Sequence, residues 1–219
     1  APEDDSDSQQ TQIAQNDDGS TSTTVTRPDG SSTVITQRPD GSKETVDTKK
    51  DGTVITTEAD SQGNQTQTTE TPDGTLEIQV TQTDGSHSTT KVDGEGQAQT
   101  VTTLSEQALQ SSQAEAVTLP IPAVTAAASA AEAQTVTLEL AQDTAVTVKI
   151  PVENVTASTV AVLVREDGTE AIVKTSVPEN DGVTLCLQGG QTVKIVDNAK
   201  DFSDVTDTYW GADAVDFVS

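Results

Sequence analysis

Eight glycines recur at a constant interval of eleven residues along the first half of the chain. They are Gly19, Gly30, Gly41, Gly52, Gly63, Gly74, Gly85 and Gly96. Aspartate precedes six of them, while Gln62 and Glu95 precede the other two. Six of the eight units read Asp-Gly-Ser/Thr, and the residues that follow are rich in threonine and other β-branched types, which is the composition of a strand bounded by a turn. A period kept this strictly indicates a repeat array.

Two architectures can use such a period. A β-solenoid must bury apolar residues from every coil, but the unit 62–72 offers no apolar residue except a proline. An antiparallel meander needs only one chain reversal per unit, and Asp-Gly supplies it. The sequence therefore favours a meander over residues 18–103, with the eight glycines as its turn residues. A solenoid and outright disorder remain as alternatives, since large apolar residues are few.

The residues around each Asp-Gly favour one register of the strands. Pro28, Pro39 and Pro72 suit the second position of a type I turn, with glycine in the left-handed conformation to close a three-residue loop. That register aligns one row of β-branched residues, namely Thr24, Val34, Val46, Thr56, Thr68, Ile78 and Thr90. It divides the apolar residues seven to three between the faces, against six to four for a two-residue loop. Neither face can support a thick core, so we expect a single-layer ribbon of eight strands, roughly 35–40 Å long.

Charge limits what the chain can bind. The net charge is −25 and only 32% of the residues are apolar. An acidic surface repels phosphate backbones and anionic lipid, so we expect no nucleic-acid partner. No apolar run approaches eighteen residues, which argues against membrane insertion. The acidic residues 1–17 are expected to be disordered. Methionine is absent even at position 1, so we expect a processed or excised chain. The expected oligomeric state is a monomer.

Composition changes in the second half of the chain. Seven strand-like runs occupy residues 116–197, and Asp167-Gly168 predicts a hairpin between two of them. We expect a small β-sandwich or open barrel over 117–200. Residues 104–116 are either a short helix capped by Ser105 or a linker. The predicted fold class is mainly β: a threonine-rich antiparallel meander, a small β-sandwich-like domain and a short C-terminal helix.

Residues with catalytic or metal-binding chemistry are scarce. His87 is the only histidine and lacks partners, so we expect a solvated strand side chain. Cys186 lies between two leucines, which favours a small buried apolar role. The stretch VDGEGQ at 92–97 lacks the ligand spacing of a calcium loop. Asn64 and Asn154 match the glycosylation pattern, which a threonine-rich chain produces by chance. We therefore predict no enzyme, no cofactor and no metal site.

The C-terminal tail carries a resemblance to a known family. It reads DFSDVTDTYWGADAVDFVS, residues 201–219. Phe202-Ser203-Asp204-Val205, then Trp210, then Ala214-Val215, resemble the opening of an S-layer homology (SLH) module, although Gly211 stands where that family usually has alanine. The preceding residues resemble the β-domain found before SLH modules in secreted surface proteins of Gram-positive gut anaerobes.

This resemblance implies a location and a partner. SLH modules attach proteins to secondary cell-wall polysaccharide, usually as three modules together. The tail supplies only the beginning of one module, a truncated start at 201–219, so it should not bind cell wall by itself. Asp204 and Trp210 are the family-type positions that carry over, and a structural role is expected for both.

Three functions are compatible with the sequence. The first is an extracellular structural spacer that joins an acidic repeat stalk to a wall-binding region. The second is a β-domain that binds a glycan or another ligand, although aromatic residues are absent before Phe202. The third is a non-catalytic accessory part of a larger surface hydrolase. The first fits the repeat array best.

Overall fold

The structure is a computed structural model that describes residues 8–111, 115–140 and 144–199. Within these ranges the chain is mainly β, as the sequence predicts. It divides into two compact units. The first runs to Thr83 and also includes residues 91–96, and the second takes residues 84–90 and the chain from Gln97 onward.

Nine strands of six residues follow the eleven-residue period in the described part of the chain. They are β1 (Gln10–Gln15), β2 (Thr21–Thr26), β3 (Ser32–Gln37), β4 (Lys43–Thr48), β5 (Val54–Ala59), β6 (Gln65–Glu70), β7 (Leu76–Thr81), β8 (His87–Val92) and β9 (Ala98–Thr103). In the first unit β1 to β7 lie side by side in sequence order, each antiparallel to the next. The predicted meander is confirmed, and neither a solenoid nor disorder describes β1 to β7.

The predicted register is confirmed along the first unit. Val34 lies opposite both Thr24 and Val46, and Thr68 lies opposite both Thr56 and Ile78. Because successive side chains of a strand alternate between faces, a shift of one residue would exchange the two faces of every strand. The three-residue loop at each turn therefore determines which side chains are neighbours across the ribbon.

The expectation of disorder over residues 1–17 is wrong for Gln10–Gln15. All six residues of β1 pair with β2, from Gln10 opposite Thr26 to Gln15 opposite Thr21. Every residue of β1 is nevertheless exposed. Backbone hydrogen bonds to β2 order this strand without apolar burial, and the amino-acid composition of residues 1–17 does not predict such bonds.

The first unit has the single-layer construction that its composition predicts. In the described residues every buried apolar side chain lies at Leu104 or later in the chain. The central side chains of β2 to β5 are half-buried, because each is covered by its neighbours on the adjacent strands. Cross-strand β-branched pairs and the hydrogen-bond ladder stabilise this unit in place of a core.

The second unit contains one short helix and most of the remaining strands. They are α1 (Glu106–Ser111), β10 (Val117–Thr118), β11 (Val124–Thr125), β12 (Thr135–Glu139), β13 (Ala145–Glu153), β14 (Thr159–Val164), β15 (Glu170–Ile172), β16 (Val177–Glu179), β17 (Gly182–Gln188) and β18 (Thr192–Asp197). One sheet has the order β8-β9-β12-β18-β14-β15, and the other has the order β10-β13-β17-β16, with β11 also paired to β13. All seven predicted strand runs are present.

The hydrophobic core lies between these two sheets. Leu138 and Ile195 point into it from one sheet, and Val148, Ile150 and Leu185 from the other; all five are at most 2% exposed. The period of two is visible in β13, where buried and accessible residues alternate from Ala145 to Glu153. This arrangement confirms a small sandwich-like domain.

The boundary between the two units differs from the expected one after residue 103. The repeat strands β8 and β9 supply part of the second unit, and their Thr90, Thr100 and Thr102 are at most 3% exposed. The hydroxyls of Thr90 and Thr100 are 2.7 Å apart, and Gln134 Nε2 donates to Thr100 Oγ1 at 2.7 Å. Because these hydroxyls find partners, threonine can be buried here at little cost.

The connecting segments behave largely as the sequence indicates. Ser105 Oγ accepts the Ala108 N–H at 3.1 Å and so caps α1, whose Leu104 and Ala108 are buried. Gly168 has a φ of 78° in the turn between β14 and β15. The predicted C-terminal helix in 201–219 lies outside the described residues.

Candidate functional site

The most regular chemical feature of the molecule is the turn that joins consecutive repeat strands. In the first turn the Gly19 N–H donates to Asn16 O at 3.0 Å, and the Asn16 N–H donates to Ser20 O at 2.9 Å. This is a type I turn closed by a glycine bulge. All eight predicted turn glycines have φ between 82° and 93°, where side chains with a Cβ are strained.

In the six turns with aspartate before the glycine, this aspartate stabilises the turn. Ser20 N–H and Oγ–H both donate to Asp18 Oδ1, at 2.9 and 2.6 Å. The same pair of bonds joins Asp40 to Ser42, at 2.9 and 2.7 Å. We call this arrangement the Asp-Ser/Thr lock. It also occurs outside the repeats, where Thr169 N–H and Oγ1–H donate to Asp167 Oδ1.

The lock changes the acidity of the aspartates. Hydrogen bonds from the Ser or Thr two residues later lower the pKa of the carboxyl group, because they favour its charged form. The side-chain hydroxyl contributes most at Asp18, Asp29, Asp40 and Asp167, and the backbone N–H contributes most at Asp51. These carboxylates are solvent-exposed, so their shifts reflect local turn geometry and not burial.

Where the repeat lacks aspartate before glycine, another aspartate performs the same task. In the turn with Gln62, the Asp60 carboxylate accepts the Gln62 N–H at 2.8 Å and the Asn64 N–H at 2.9 Å. In the turn with Glu95, Asp93 Oδ1 accepts the Glu95 N–H at 3.0 Å. In all eight turns one aspartate therefore accepts the backbone N–H of the residue two positions later.

Turns that lie along the same edge of the first unit also contact each other. A Cβ placed on Gly19 would lie 3.3 Å from Pro39, and one on Gly52 would lie 3.2 Å from Pro72. The prolines thus preset the turn conformation and fill the space beside the glycine of a neighbouring turn. The Asn64 amide is similarly engaged, since its Oδ1 accepts the Thr83 N–H at 3.1 Å and its Nδ2 donates to Asp60.

One gap in this turn packing forms a surface hollow. It lies between the turns that contain Asp29 and Asp51, has a volume of about 850 Å³ and is lined by Arg27, Asp29, Ser31, Asp47, Lys49, Lys50 and Asp51. Arg27 Nη2 donates to Thr33 Oγ1 at 2.9 Å, and Asp47 forms ion pairs with Arg27 and Lys49. The lining contains three basic and three acidic side chains, so the hollow has no excess charge that would attract an ionic ligand.

A second hollow lies in the second unit. It has a volume of about 240 Å³ and is lined by apolar residues such as Val162 and Val196 and by the polar residues Ser129, Glu170, Asp197 and Asn198. Ligand pockets commonly measure about 300–1,000 Å³ and carry several converging polar groups. This hollow is smaller than that range, and no aromatic residue lines it.

Two residues with reactive side chains are exposed. His87 is solvent-exposed as expected, with Nδ1 3.2 Å from Gly85 O. The prediction that Cys186 is buried is wrong, because the alternation along β17 turns Leu185 and Leu187 into the core and Cys186 outward. The alternation of VTLCLQ itself carried that signal.

An ion-pair cluster fastens the second sheet at its surface. Lys149 bonds to Asp181 and lies 3.0 Å from Glu179, and these contacts raise its pKa, with Asp181 contributing most. The described residues contain no group of three or more His, Cys, Asp or Glu side chains able to hold a metal ion. No helix of the described ranges is long and apolar enough to cross a membrane. Asp204 and Trp210 lie outside the described residues.

Comparison of the chain with protein-family models, with curated proteins and with solved structures found no match. The function must therefore be argued from the fold itself. What the fold defines is a turn-locked, threonine-rich β-repeat array followed by a two-sheet β unit.

Proposed function

We propose that this chain is a non-catalytic structural segment of a cell-surface protein, in which the acidic repeat array is a spacer joined to a wall-binding SLH region. The observation that carries the proposal is the uniformity of the repeats. Every strand from β1 to β7 has six residues, and the six turns that connect these strands share the same pair of backbone hydrogen bonds, so the repeat number determines the width of the sheet.

The construction of the first unit supports a spacer better than a binding module. Each added strand extends the sheet by about 4.8 Å. The strands need no hydrophobic core, so repeats can be added without redesign of an interior. High negative charge at the surface keeps such a ribbon soluble and discourages nonspecific association.

The location and partner rest on the resemblance of residues 201–219 to the start of an SLH module. The proposed location is extracellular, at the cell wall, and the proposed partner is secondary cell-wall polysaccharide. The beginning of one module is not enough for attachment, so the partner would be held by further SLH modules beyond those that this chain contains.

Co-sedimentation with purified cell-wall sacculi tests the attachment. The chain through Ser219 should stay in the supernatant, whereas a version extended through three complete SLH modules should pellet. The matched control uses sacculi stripped of their secondary polysaccharide, which should retain neither protein. Pelleting of the short chain on intact sacculi, or of the extended protein on stripped sacculi, would contradict the proposal.

A parallel assay tests whether the chain itself has hydrolase activity. Intact sacculi are incubated with the chain and the release of soluble sugar or peptide is measured over time. We expect no release above buffer, because the proposed role of the chain is structural. Release that depends on protein concentration would make the chain part of a hydrolase.

A further inference from the structure

The strand β1 has a free edge. In the described residues it is the terminal strand of its sheet and pairs only with β2. The Asn16 N–H donates to Ser20 O, and hydrogen-bonded residues alternate along an antiparallel pair. Gln10, Gln12 and Ala14 therefore direct their backbone groups to β2, whereas Thr11, Ile13 and Gln15 direct theirs to the open side.

Among the described strands, this edge lacks the protection that the other sheet edges have. Proteins usually block edge strands with charge, proline, bulges or short length. The strands β15 and β16 have three residues each, and β16 also contains Pro178. In contrast, β1 has six residues, no charge and no proline, and its Ile13 is 72% exposed.

We propose that β1 is a self-association edge, at which a second copy of this chain adds its own β1 as an antiparallel strand. The register is centred on Ile13, so that Ile13 faces the partner's Ile13 and Thr11 faces the partner's Gln15. All three residues with outward backbone groups are then in hydrogen-bonded pairs, which gives about six bonds between the copies. A shift of two residues in either direction removes one of these pairs.

The side chains favour this register too. Residues that face each other across an antiparallel pair lie on the same face of the sheet, so the two exposed Ile13 side chains meet. No charge is opposed to a like charge within the strand. The sheets of the two copies then continue into each other with their faces matched.

Charge outside the strand limits the strength of the association. Asp17 and Asp18 follow β1, and Glu3, Asp4, Asp5 and Asp7 precede it in the sequence. Both copies carry this acidic sequence within a chain of net charge −25, so the two copies repel each other. Salt reduces this repulsion, since the Debye length falls from about 10 Å at 0.1 M to about 3 Å at 1 M ionic strength. The association should be weak and should strengthen with salt.

Sedimentation equilibrium of the full chain over a concentration series, at low and at about 1 M salt, is the first test. We expect a monomer–dimer equilibrium whose dimer fraction rises with salt. Ile13→Lys should abolish the dimer, because it places two charges opposite each other. Ile172→Lys is the matched control: Ile172 is 48% exposed on the short edge strand β15, so its replacement should leave the dimer unchanged.

Circular dichroism of both variants verifies that the fold is kept. A wild-type chain that stays monomeric at the highest soluble concentration in high salt would overturn the proposal. So would a folded Ile13→Lys variant that dimerises normally, or loss of the dimer in Ile172→Lys.

Cross-linking tests the register. Each variant is made in a Cys186→Ser background, because the native thiol is exposed, and is oxidised with diamide. Ile13→Cys should form a disulfide dimer, since paired Cα atoms about 5.5 Å apart are within bridging range. Gln15→Cys alone should not, whereas a mixture of Gln15→Cys with Thr11→Cys should form the mixed dimer. Equal cross-linking of Gln15→Cys with itself would contradict the register.

Discussion

At the scale of single residues, the turn glycines and their aspartates determine the fold of the repeats. Gly41 has a φ of 92° and no atom within 4 Å of the position that a Cβ would occupy. Gly41→Ala should therefore destabilise the first unit through backbone strain alone, by about 1–2 kcal/mol. Urea unfolding followed by circular dichroism measures the change.

Gly94→Ala is the matched control for that substitution. Gly94 lies in the same array but has no positive φ, and its added Cβ would meet only Asp73 O at an ordinary 3.7 Å. We expect a change within about 0.5 kcal/mol. Equal losses for the two variants would mean that the left-handed conformation is not what the turn requires.

The Asp-Ser/Thr lock predicts acid sensitivity. Its hydrogen bonds lower the pKa of Asp40 in the folded chain, so this carboxylate stabilises the fold above its ordinary pKa of about 3.9. That contribution disappears as the pH falls through the lowered folded-state value. Asp40→Asn should thus be less stable than wild type at pH 7, with a difference that shrinks toward zero in strong acid.

A double-mutant cycle with Ser42→Ala separates the contribution of the Asp-Ser/Thr lock to stability from the general effect of protonating the many carboxylates of a very acidic chain. Removing the Ser42 hydroxyl eliminates the largest cause of the Asp40 pKa shift. The pH-dependent difference in the free energy of unfolding between Asp and Asn at position 40 should become smaller in the Ser42→Ala background. An unchanged difference would show that the hydroxyl bond does not matter.

The sequence predicts the turns correctly because their causes are local. A proline presets φ, a glycine allows the left-handed conformation, and the register follows. Burial of polar residues has no local signal. Thr100 and Thr102 resemble any solvent-facing threonines of the array, and only their distant partners, such as Gln134, show that they belong to the second unit.

At the scale of elements, the odd number of residues per repeat determines which side chains share a face of the sheet. Each unit has eleven residues, which is an odd number. Residues that lie on one face of the sheet therefore occupy odd positions in one unit and even positions in the next, when positions are counted from the turn glycine. Deleting residues 43–53 joins β3 to β5 and places Ile35 opposite Thr56. The side chains of all strands before the deletion then lie on the opposite face from the one they share with the later strands in the intact chain. Deleting residues 43–64 places Ile35 opposite Gln67, which lies on the same face as Ile35 in the intact chain.

We therefore expect the shorter deletion to be the more damaging one. It separates Val34 from the row that contains Thr56, Thr68 and Ile78, whereas the two-unit deletion removes Thr56 but keeps Val34 in one row with Thr68 and Ile78. Cross-strand pairs contribute about 0.2–1 kcal/mol each, so several mismatches should lower the urea midpoint measurably. If the variant with the longer deletion is the less stable of the two, stability follows the number of strands and not the matching of faces.

At the scale of the whole molecule, the two units are stabilised by different interactions. The buried apolar side chains of the described residues belong to the second unit, and the first unit depends on ladders, turns and half-buried pairs. Two leucines make a matched comparison. Leu138 is 0% exposed between the sheets of the second unit, and Leu76 is half-buried on a single-layer ribbon.

Leu138→Ala should destabilise the second unit by about 2–5 kcal/mol, because it leaves a cavity in a packed core. Leu76→Ala should cost about 1 kcal/mol, since water can replace the lost side chain on a ribbon that has no opposing layer. Hydrogen exchange read by mass spectrometry is the suitable measurement. It resolves the two units separately, and Leu138→Ala should raise exchange in β12, β13 and β17 much more than in β2 to β6. A loss for Leu76→Ala as large as that for Leu138→Ala would mean that an apolar layer covers the ribbon.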